Sequence, residues 1–404
     1  MKITQISVVL FSLFLLSSCQ QDNDLNVNEN DIPDINQTSP DNNNIPNGND
    51  NAELGELGRL LFYDPILSGG QDVACATCHH PEFGYADGRA LSIGIEGRGL
   101  GPDRAHTTTA QNGFVRRNSP TIVNTAFNGM DENGNYDPAT APMFWDNRLV
   151  SLETQALGPI EDFAEMRGHA FGEGEGVEGV IVRLQNNAEY QTLFTGAFGS
   201  ANSINSQNIG IAIAAFERMI TATDSPFDRF QAGDQNAMSQ QQIAGMNTFN
   251  QVGCDNCHSG PMFSDYQLHT LGVPDNNLLD NPDSGADGSF NFRTSTLRNL
   301  SSTGPYFHNG VGGNLQETIR FYTTARNFAR NNGNGGGNGG GGGLNINQNV
   351  QPNDIDNDIR NLNNLNNNDI QEIIAFLEAL NDDNFDRRIP DSVPSGLQVG
   401  GDID

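Results

Sequence analysis

The chain has 404 residues and a formal net charge of −30, with 50 Asp and Glu against 20 Lys and Arg. This acidic balance argues against nucleic acid as a partner, because the phosphates would be repelled. Five cysteines are present. Four of them belong to a repeated motif described below, so none is left for the disulfide framework that many exported proteins have.

The first 19 residues are predicted to be an export signal. A short basic start precedes a mostly apolar run from Ile6 to Leu16, which is too short to span a membrane as a mature helix. The following Leu16-Ser-Ser-Cys19 resembles a bacterial lipoprotein signal with Cys19 as the lipidated N-terminus, and an ordinary secretory peptide is the alternative. The chain is therefore expected to be exported and lipid-anchored on the periplasmic side of a bacterial membrane, with the outer membrane and the cell surface left open as locations. Residues 20–50, rich in Asn, Asp, Pro and Ser, are predicted to be a disordered tether.

Two pentapeptides share the pattern C-x-x-C-H: Cys75-Ala-Thr-Cys78-His79 and Cys254-Asp-Asn-Cys257-His258. Two thiols at this spacing can form thioethers to one porphyrin, and the adjacent His can then bind the iron as proximal ligand. A zinc knuckle would need four ligands grouped locally, and a thioredoxin-like pair does not need the His in both copies. We therefore predict two covalently bound c-type haems.

Helical periodicity dominates the rest of the chain and strand signals are scarce, so we predict a mainly α fold. A Gly-rich stretch over 84–101 is expected to be a loop over the first haem. Arg117-Asn-Ser-Pro-Thr121 is expected to open a short helix, with Ser119 as its cap. The other predicted helices lie at 53–62, 151–157, 177–198, 208–221, 239–250, 315–326 and 369–380.

These elements predict two haem domains and several less regular segments. The expected boundaries are 51–230 for the N-terminal haem domain, 231–330 for the C-terminal haem domain, 331–350 for a disordered Gly/Asn-rich insertion, 351–390 for a C-terminal helical segment and 391–404 for a loose tail.

Several blocks, in this order, resemble the bacterial di-haem cytochrome c peroxidase family, including its MauG-like branch. They are Leu57-Gly-Arg-Leu-Leu-Phe-Tyr-Asp64-Pro65, the first haem motif, Arg117-Asn-Ser-Pro-Thr121, Phe144-Trp-Asp-Asn-Arg148, Gln155-Ala-Leu-Gly-Pro159, Glu165-Met166, the second haem motif and Thr303-Gly-Pro-Tyr-Phe-His308. The resemblance implies two cytochrome c-like domains. The N-terminal haem would be peroxidatic and the C-terminal haem would transfer electrons, with His79 and His258 as proximal ligands.

The resemblance also assigns roles to residues that alone would be unremarkable. Gln155 and Glu165, otherwise two surface polar residues, match the pair above the peroxidatic haem, where a carboxylate can move a proton between peroxide oxygens and an amide can orient the peroxide. Trp145 matches the electron relay between the haems, and a packed core indole is the alternative. Calcium is implied by a further set of oxygen ligands: Asn118, Thr303 and Pro305.

One departure from the family pattern concerns the N-terminal haem. Typical members carry a ligating His where Ser92-Ile-Gly-Ile95 ends, and isoleucine cannot bind iron. We therefore expect this iron to be five-coordinate and open, unless His80 or His106 takes the position.

A second departure concerns the C-terminal haem. Tyr322 stands where typical members have a ligating Met, as in MauG-type enzymes. A phenolate is a hard anionic donor, whereas Met raises the reduction potential. The alternative is that Tyr322 only packs, and that His269 or Met262 binds the iron.

The leading hypothesis is a peroxidase that reduces hydrogen peroxide with electrons from a small redox protein, either a cytochrome c or a cupredoxin. The second is MauG-like, peroxide-dependent oxidation of a protein or organic substrate. The third is a non-catalytic di-haem electron carrier, against which the loss of a ligand at Ile95 argues. A homodimer is also compatible with the family.

Overall fold

The first helix, α1 (Ala52–Tyr63), buries its apolar face in the core of the N-terminal half. The computed structural model describes residues 52–107, 114–333 and 343–404. The predicted signal peptide with Cys19, the tether over 20–50 and residues 334–342 of the Gly/Asn-rich insertion lie outside these residues. Among the described residues, no helix is both long and apolar enough to cross a bilayer.

The mainly α prediction is confirmed. After α1 the helices are α2 (Cys75–Cys78), α3 (Leu152–Gln155), α4 (Gly158–Glu161), α5 (Gly176–Gln185), α6 (Ala188–Phe198), α7 (Ser206–Glu217), α8 (Pro226–Gln231), α9 (Gln240–Val252), α10 (Leu315–Arg330), α11 (Asn357–Asn361) and α12 (Asn367–Glu378). The described strands form three short antiparallel pairs: β1 (Gly97–Arg98) with β2 (Ala105–His106), β3 (Pro142–Met143) with β4 (Leu149–Val150), and β5 (Leu268–His269) with β6 (Phe292–Arg293).

The helices build two hydrophobic cores that repeat one helix crossing. In the first, α1 crosses α7 at Gly58, where an added Cβ would lie 1.9 Å from the carbonyl oxygen of Ala212. In the second, α9 crosses α12 at Gly245, where a Cβ would lie 1.9 Å from the carbonyl oxygen of Glu372. Glycine is required at both positions because the helix backbones approach so closely. The two halves therefore share a cytochrome c-like arrangement.

The predicted short helix after Arg117 is wrong. Residues 117–121 are not helical, and a 3₁₀ turn over Thr125–Phe127 follows them. The Ser119 hydroxyl, expected to cap a helix, instead donates a hydrogen bond of 2.8 Å to the carbonyl oxygen of Cys78. The hydroxyl of Ser119 is therefore bonded to a backbone group distant in the sequence, instead of to a nearby backbone amide as a helix cap would be.

Two other helix predictions need correction. The helix predicted over 151–157 ends earlier, at Gln155, and the following Gly158-Pro159 begins α4, where a proline in the first turn costs no hydrogen bond. The helix expected over 177–198 is broken between α5 and α6, because the side chain of Asn187 accepts hydrogen bonds from the first amides of α6.

The C-terminal residues are not a loose tail. The carbonyl of Gly400 accepts a hydrogen bond of 2.7 Å from the Thr77 hydroxyl within α2. The amide of Asp402 donates to the carbonyl of Asp72 at 2.8 Å, and the Asp402 carbonyl accepts from Arg104 at 2.9 Å. Because these hydrogen bonds are made by backbone atoms of residues 400–402, the pattern of apolar side chains in the sequence does not predict them.

The segment over 331–350 was predicted to be disordered, but its last residues make specific contacts. The side chain of Asn347 is 4 % exposed and donates to the carbonyl of Val273 and to the carboxylate of Asp275. Helices α11 and α12 complete the second core, which brings most of the predicted 351–390 segment into the C-terminal domain.

Candidate active site

Both C-x-x-C-H motifs open into one continuous cavity of about 1380 Å³. This volume exceeds the roughly 300–1,000 Å³ of a usual small-molecule site, so there is room for more than one large group. The candidate site residues from the sequence that line it are Cys75, Cys78, His79, Asn118, Trp145, Gln155, Glu165, Cys254, Cys257, His258, His269, Thr303, Pro305 and Tyr322.

The two motif histidines are held in the same way. Nδ1 of His79 lies 3.0 Å from the carbonyl oxygen of Tyr85, and Nδ1 of His258 lies 3.0 Å from the carbonyl oxygen of Phe263. A carbonyl oxygen only accepts, so Nδ1 carries the proton in both rings and Nε2 keeps its lone pair. Burial also lowers the pKa of both imidazoles and favours the neutral form. Each ring is thus prepared to bind a metal through Nε2.

The four motif cysteines are not joined in disulfides. Burial raises the pKa of Cys75, Cys78 and Cys254, so these sites disfavour a thiolate. A neutral thioether has no such desolvation cost. The cavity, the thiol pairs and the oriented imidazoles are therefore consistent with two c-type haems.

Gln155 and Glu165 come from two short elements that line the cavity on the N-terminal side. Gln155 is the last residue of α3, and Glu165 lies in a π-helical turn over Phe163–Arg167. The carboxylate of Asp162 caps this turn, accepting hydrogen bonds from the amides of Ala164 and Glu165. Burial, together with the nearby Asp162 carboxylate, raises the pKa of Glu165 to about 8. Such a group can both take up and release a proton near neutral pH.

The side chain at the position of the missing ligand faces the protein core. Ile95 is 7 % exposed and packs in the first core, and its amide donates to the carbonyl of Ala164 in the turn before Glu165. His80 and His106 do not line the cavity either. Nδ1 of His80 accepts from the amide of Glu82, and the ring of His106 packs against Phe114.

Trp145 lies where segments of the two halves meet. Its indole Nε1 donates a hydrogen bond of 2.9 Å to the carbonyl of Asn118, whose amide donates to the carbonyl of His308. The neighbouring Asp146 pairs with Arg117 at 2.7 Å, and Arg117 also pairs with Asp283 at 2.6 Å. Sequence reasoning missed this charge network, because its partners are far apart along the chain.

The candidates for the sixth ligand of the second haem differ in their surroundings. Tyr322, on α10, lines the cavity, and burial raises the pKa of its phenol. Both ring nitrogens of His269 lie 2.8 Å from carboxylate oxygens of Asp265 and Asp356, and Asp265 is the main cause that raises the pKa of His269 to about 11. A protonated imidazole has no lone pair to offer. Met262 is buried outside the cavity lining.

The three predicted calcium residues all line the cavity, but among the described residues no cluster of Asp or Glu side chains lies with them. The side-chain amide of Asn118 donates to the carbonyl of Arg89 at 2.7 Å, which fixes its orientation. Within the described ranges, the close group of metal-binding side chains is Cys257, Asp265 and His269. This group involves a motif cysteine and the carboxylate-bound His269, and it does not include any of the predicted calcium residues.

Glu217 is a cavity residue that sequence reasoning missed. It is the last residue of α7, is buried and lines the cavity one turn after Ile213. In the sequence Glu217 precedes Arg218 and looks like half of a surface ion pair. The signal that could have revealed it is its i, i+4 spacing from Ile213 on the apolar face of the helix.

The model of the family described as di-haem cytochrome c peroxidase matches residues 52–236. The chain is 33 % identical over 276 residues to the methylamine utilization protein MauG of Methylophilus methylotrophus. The matched region covers 67 % of this chain and 72 % of that protein. It is 32 % identical over 282 residues to the cytochrome c551 peroxidase of Pseudomonas aeruginosa, with coverages of 67 % and 72 %.

A solved structure has the same fold. It is the crystal structure of a MauG-like protein associated with microbial copper homeostasis, with a TM-score of 0.62 and 24 % identity over 82 % of this chain and 89 % of that one. The sequence relatives carry peroxidase and MauG names at nearly equal identity. The chain therefore belongs to the di-haem cytochrome c peroxidase family and is an oxidoreductase built from two cytochrome c-like domains.

Proposed function

We propose that the chain reduces hydrogen peroxide to water at the N-terminal haem, with electrons from a cytochrome c or a cupredoxin that enter through the C-terminal haem. The observation that supports this proposal is that Gln155 and Glu165 line the same cavity as His79. Each turnover consumes one peroxide, two electrons and two protons and yields two waters.

In this proposal the chain's own residues orient the peroxide and move its proton. The haem iron supplies the electrons that break the O–O bond. The amide of Gln155 donates a hydrogen bond that orients the peroxide. A carboxylate oxygen of Glu165 accepts the proton of the inner oxygen and returns it to the outer one, so that water can leave. The pKa of Glu165, raised to about 8, suits both transfers.

We assign Trp145 as the electron relay between the two halves. The support is the chain of hydrogen bonds from its indole through Asn118 to the backbone of His308. The ion pairs of Arg117 with Asp146 and Asp283 tie the same region together. An indole fixed by this hydrogen bond would hold one position between the two halves, as an electron relay requires.

The MauG-like activity, oxidation of a protein or organic substrate, is the second candidate. Tyr322 supports it, because this phenol lines the cavity while His269 is held by two carboxylates and Met262 lies outside the lining. In both candidates we assign Tyr322 as the sixth ligand of the C-terminal haem.

Two further assignments remain proposals. Calcium would be bound by Asn118, Thr303 and Pro305, and a chelator should then lower the thermal stability of the holoprotein, whereas an unchanged melting temperature would remove calcium from the proposal.

Export as a lipoprotein would depend on Cys19, and Cys19→Ser should release the protein from the membrane fraction.

The central experiment compares Glu165→Gln with a matched surface variant, Glu178→Gln, on the exposed side of α5. Glu165→Gln should slow peroxide turnover by about 10²–10⁴-fold, the usual effect of removing a general acid–base group, with both haems retained. Glu178→Gln should leave turnover unchanged. Equal turnover in both variants would overturn the role of Glu165.

The electron donor is tested with the wild-type holoprotein. Peroxide should rapidly oxidise reduced cytochrome c or reduced cupredoxin only when the chain is present. If neither donor is oxidised although peroxide reacts with the haems, the peroxidase proposal fails and the MauG-like candidate takes its place.

A further inference from the structure

We infer that Glu217 is a proton-binding residue of the N-terminal haem site, which couples the uptake of an electron at this site to the uptake of a proton. The inference rests on the proposed N-terminal haem and goes beyond the roles of Gln155 and Glu165, because Glu217 belongs to a different helix and has no part in breaking the peroxide bond.

The burial of Glu217 is the first observation. The residue is 5 % exposed and lines the cavity, and its Oε2 has no hydrogen-bond partner among the described residues. An ionised carboxylate in such a place lacks the solvation and the hydrogen bonds that would stabilise it. The group is therefore stable as a neutral acid, or as an anion only when positive charge is close by.

A comparison of the two halves gives a second, independent observation. The crossings at Gly58 and Gly245 are equivalent, because an added Cβ at these glycines would also approach the Cβ of Phe216 and of Phe376, at 2.9 Å and 3.0 Å. The residue that follows Phe216 is Glu217, so its counterpart in the second half is the residue that follows Phe376.

That counterpart is Leu377, and the residues one turn earlier are Ile213 and Ile373. These three side chains line the cavity, as Glu217 does. The C-terminal half thus fills the position with leucine, so the packing of this helix face does not require a carboxyl group. The N-terminal half differs where the peroxidatic haem is proposed.

The ionic neighbours of Glu217 are engaged with other groups. Arg218 pairs with Glu153 of α3 at 2.6 Å. Arg59 of α1, whose guanidinium lies over the ring of Phe216, pairs with Asp386 at 2.7 Å. None of these contacts supplies a direct partner for Oε2 of Glu217.

The remaining titratable neighbours are uncharged. Tyr63 of α1 also faces Phe216, and burial raises the pKa of its phenol. Cys75 of α2 becomes a neutral thioether once haem is attached. Burial raises the pKa of Glu217 to about 8, Arg218 opposes the rise and Glu153 adds to it. Glu217 is thus close to its titration range at neutral pH, where a change of charge nearby alters its protonation.

The coupling balances one electron against one proton. When the site takes up one electron, which the donor protein delivers through the C-terminal haem, ferric iron becomes ferrous and the cavity loses one positive charge. The carboxylate of Glu217 then binds one proton from solvent, and it releases this proton when the electron leaves. Protonation offsets the electron's charge, so each transfer changes the net charge of the buried site less.

The test is a redox titration of the holoprotein at pH values on both sides of about 8, followed at the absorption of the N-terminal haem. Glu165 titrates in the same range, so the comparison is made in the Glu165→Gln background. There, the potential of the N-terminal haem should fall as the pH rises. This dependence should disappear when Glu217→Gln is added, and also with Glu217→Leu, which copies Leu377.

A matched control is Glu189→Gln at the exposed start of α6, which removes the same charge from the surface and should leave the dependence intact. The inference is overturned if the potential does not depend on pH before Glu217 is changed, or if the dependence survives Glu217→Gln.

If the Glu217 variants do not fold, infrared difference spectra of Glu165→Gln on reduction provide the test. A gain in protonated-carboxyl absorption that shifts in deuterium oxide is expected, and its absence overturns the inference. Because potentials and infrared bands need no peroxide turnover, this outcome is separate from that of the proposed function.

Discussion

Nε1 of Trp145 donates a hydrogen bond of 2.9 Å to the carbonyl oxygen of Asn118. The amide of Asn118 donates in turn to the carbonyl of His308, so the backbone of Asn118 joins the indole to a segment beside the second domain. The indole is thereby fixed at the junction by main-chain atoms, which mutation of neighbouring side chains leaves in place.

Replacing Trp145 by Phe should slow electron transfer between the haems, because the hydrogen-bonded indole is the proposed relay. The lost hydrogen bond should lower the free energy of unfolding by only about 1 kcal/mol. Stopped-flow spectra after one-electron reduction measure the transfer. If Trp145→Phe transfers electrons at the wild-type rate, the relay follows another route.

The rate of the reaction with peroxide should depend on the protonation of Glu165. Since the pKa of this carboxyl is raised to about 8, the acid form dominates below that pH and the proton-accepting carboxylate grows as the pH rises towards it. The rate should therefore increase with pH through about 8, where half of the carboxyl groups are ionised, and level off roughly one pH unit higher. Glu165→Gln should lose this dependence, and an unchanged pH profile would contradict the assignment.

Tyr322→Met should raise the reduction potential of the C-terminal haem, because a thioether ligand favours ferrous iron more than a phenolate does. The optical spectrum of the ferric C-terminal haem should change at the same time, and Tyr322→Phe should also change it. Identical ferric spectra in wild type and Tyr322→Phe would show that another group binds the iron.

The ferric spectrum of the wild type also tests the open N-terminal iron. Ile95 packs in the core, so we expect a high-spin signal from this haem and ready binding of cyanide. The electron-carrier hypothesis predicts two six-coordinate low-spin haems instead. Electron paramagnetic resonance of the resting protein distinguishes the two.

The helix crossings should tolerate no added methyl group. Gly58→Ala and Gly245→Ala would each bring a Cβ within 1.9 Å of a carbonyl oxygen, and overpacking of this kind costs about 1–3 kcal/mol of unfolding free energy. Gly196→Ala in α6, where an added Cβ meets nothing within 4 Å, should stabilise the protein by about 0.5–1 kcal/mol. Thermal or denaturant unfolding of the holoproteins measures all three.

The sequence was sufficient for features with a local signature. The two C-x-x-C-H motifs single out His79 and His258, and the apolar periodicity predicts α1 and α9 to within two residues of their ends, whereas α10 extends four residues beyond the predicted end. It failed where a segment bonds to a distant backbone, as at Ser119 with Cys78. It also missed Glu217, because the i, i+4 spacing from Ile213 places this residue on the apolar face of α7 but does not show that the face meets a cavity.

The contacts of Gly400 and Asp402 with Thr77 and Asp72 have a consequence for synthesis. A ribosome makes these residues only after it has made the whole second domain, although they close the surface beside the first haem motif. The N-terminal half therefore finishes folding only after the C-terminal half has been made. A stop codon placed before Gly400 would therefore disturb the N-terminal half, even though residues 52–230 had been translated.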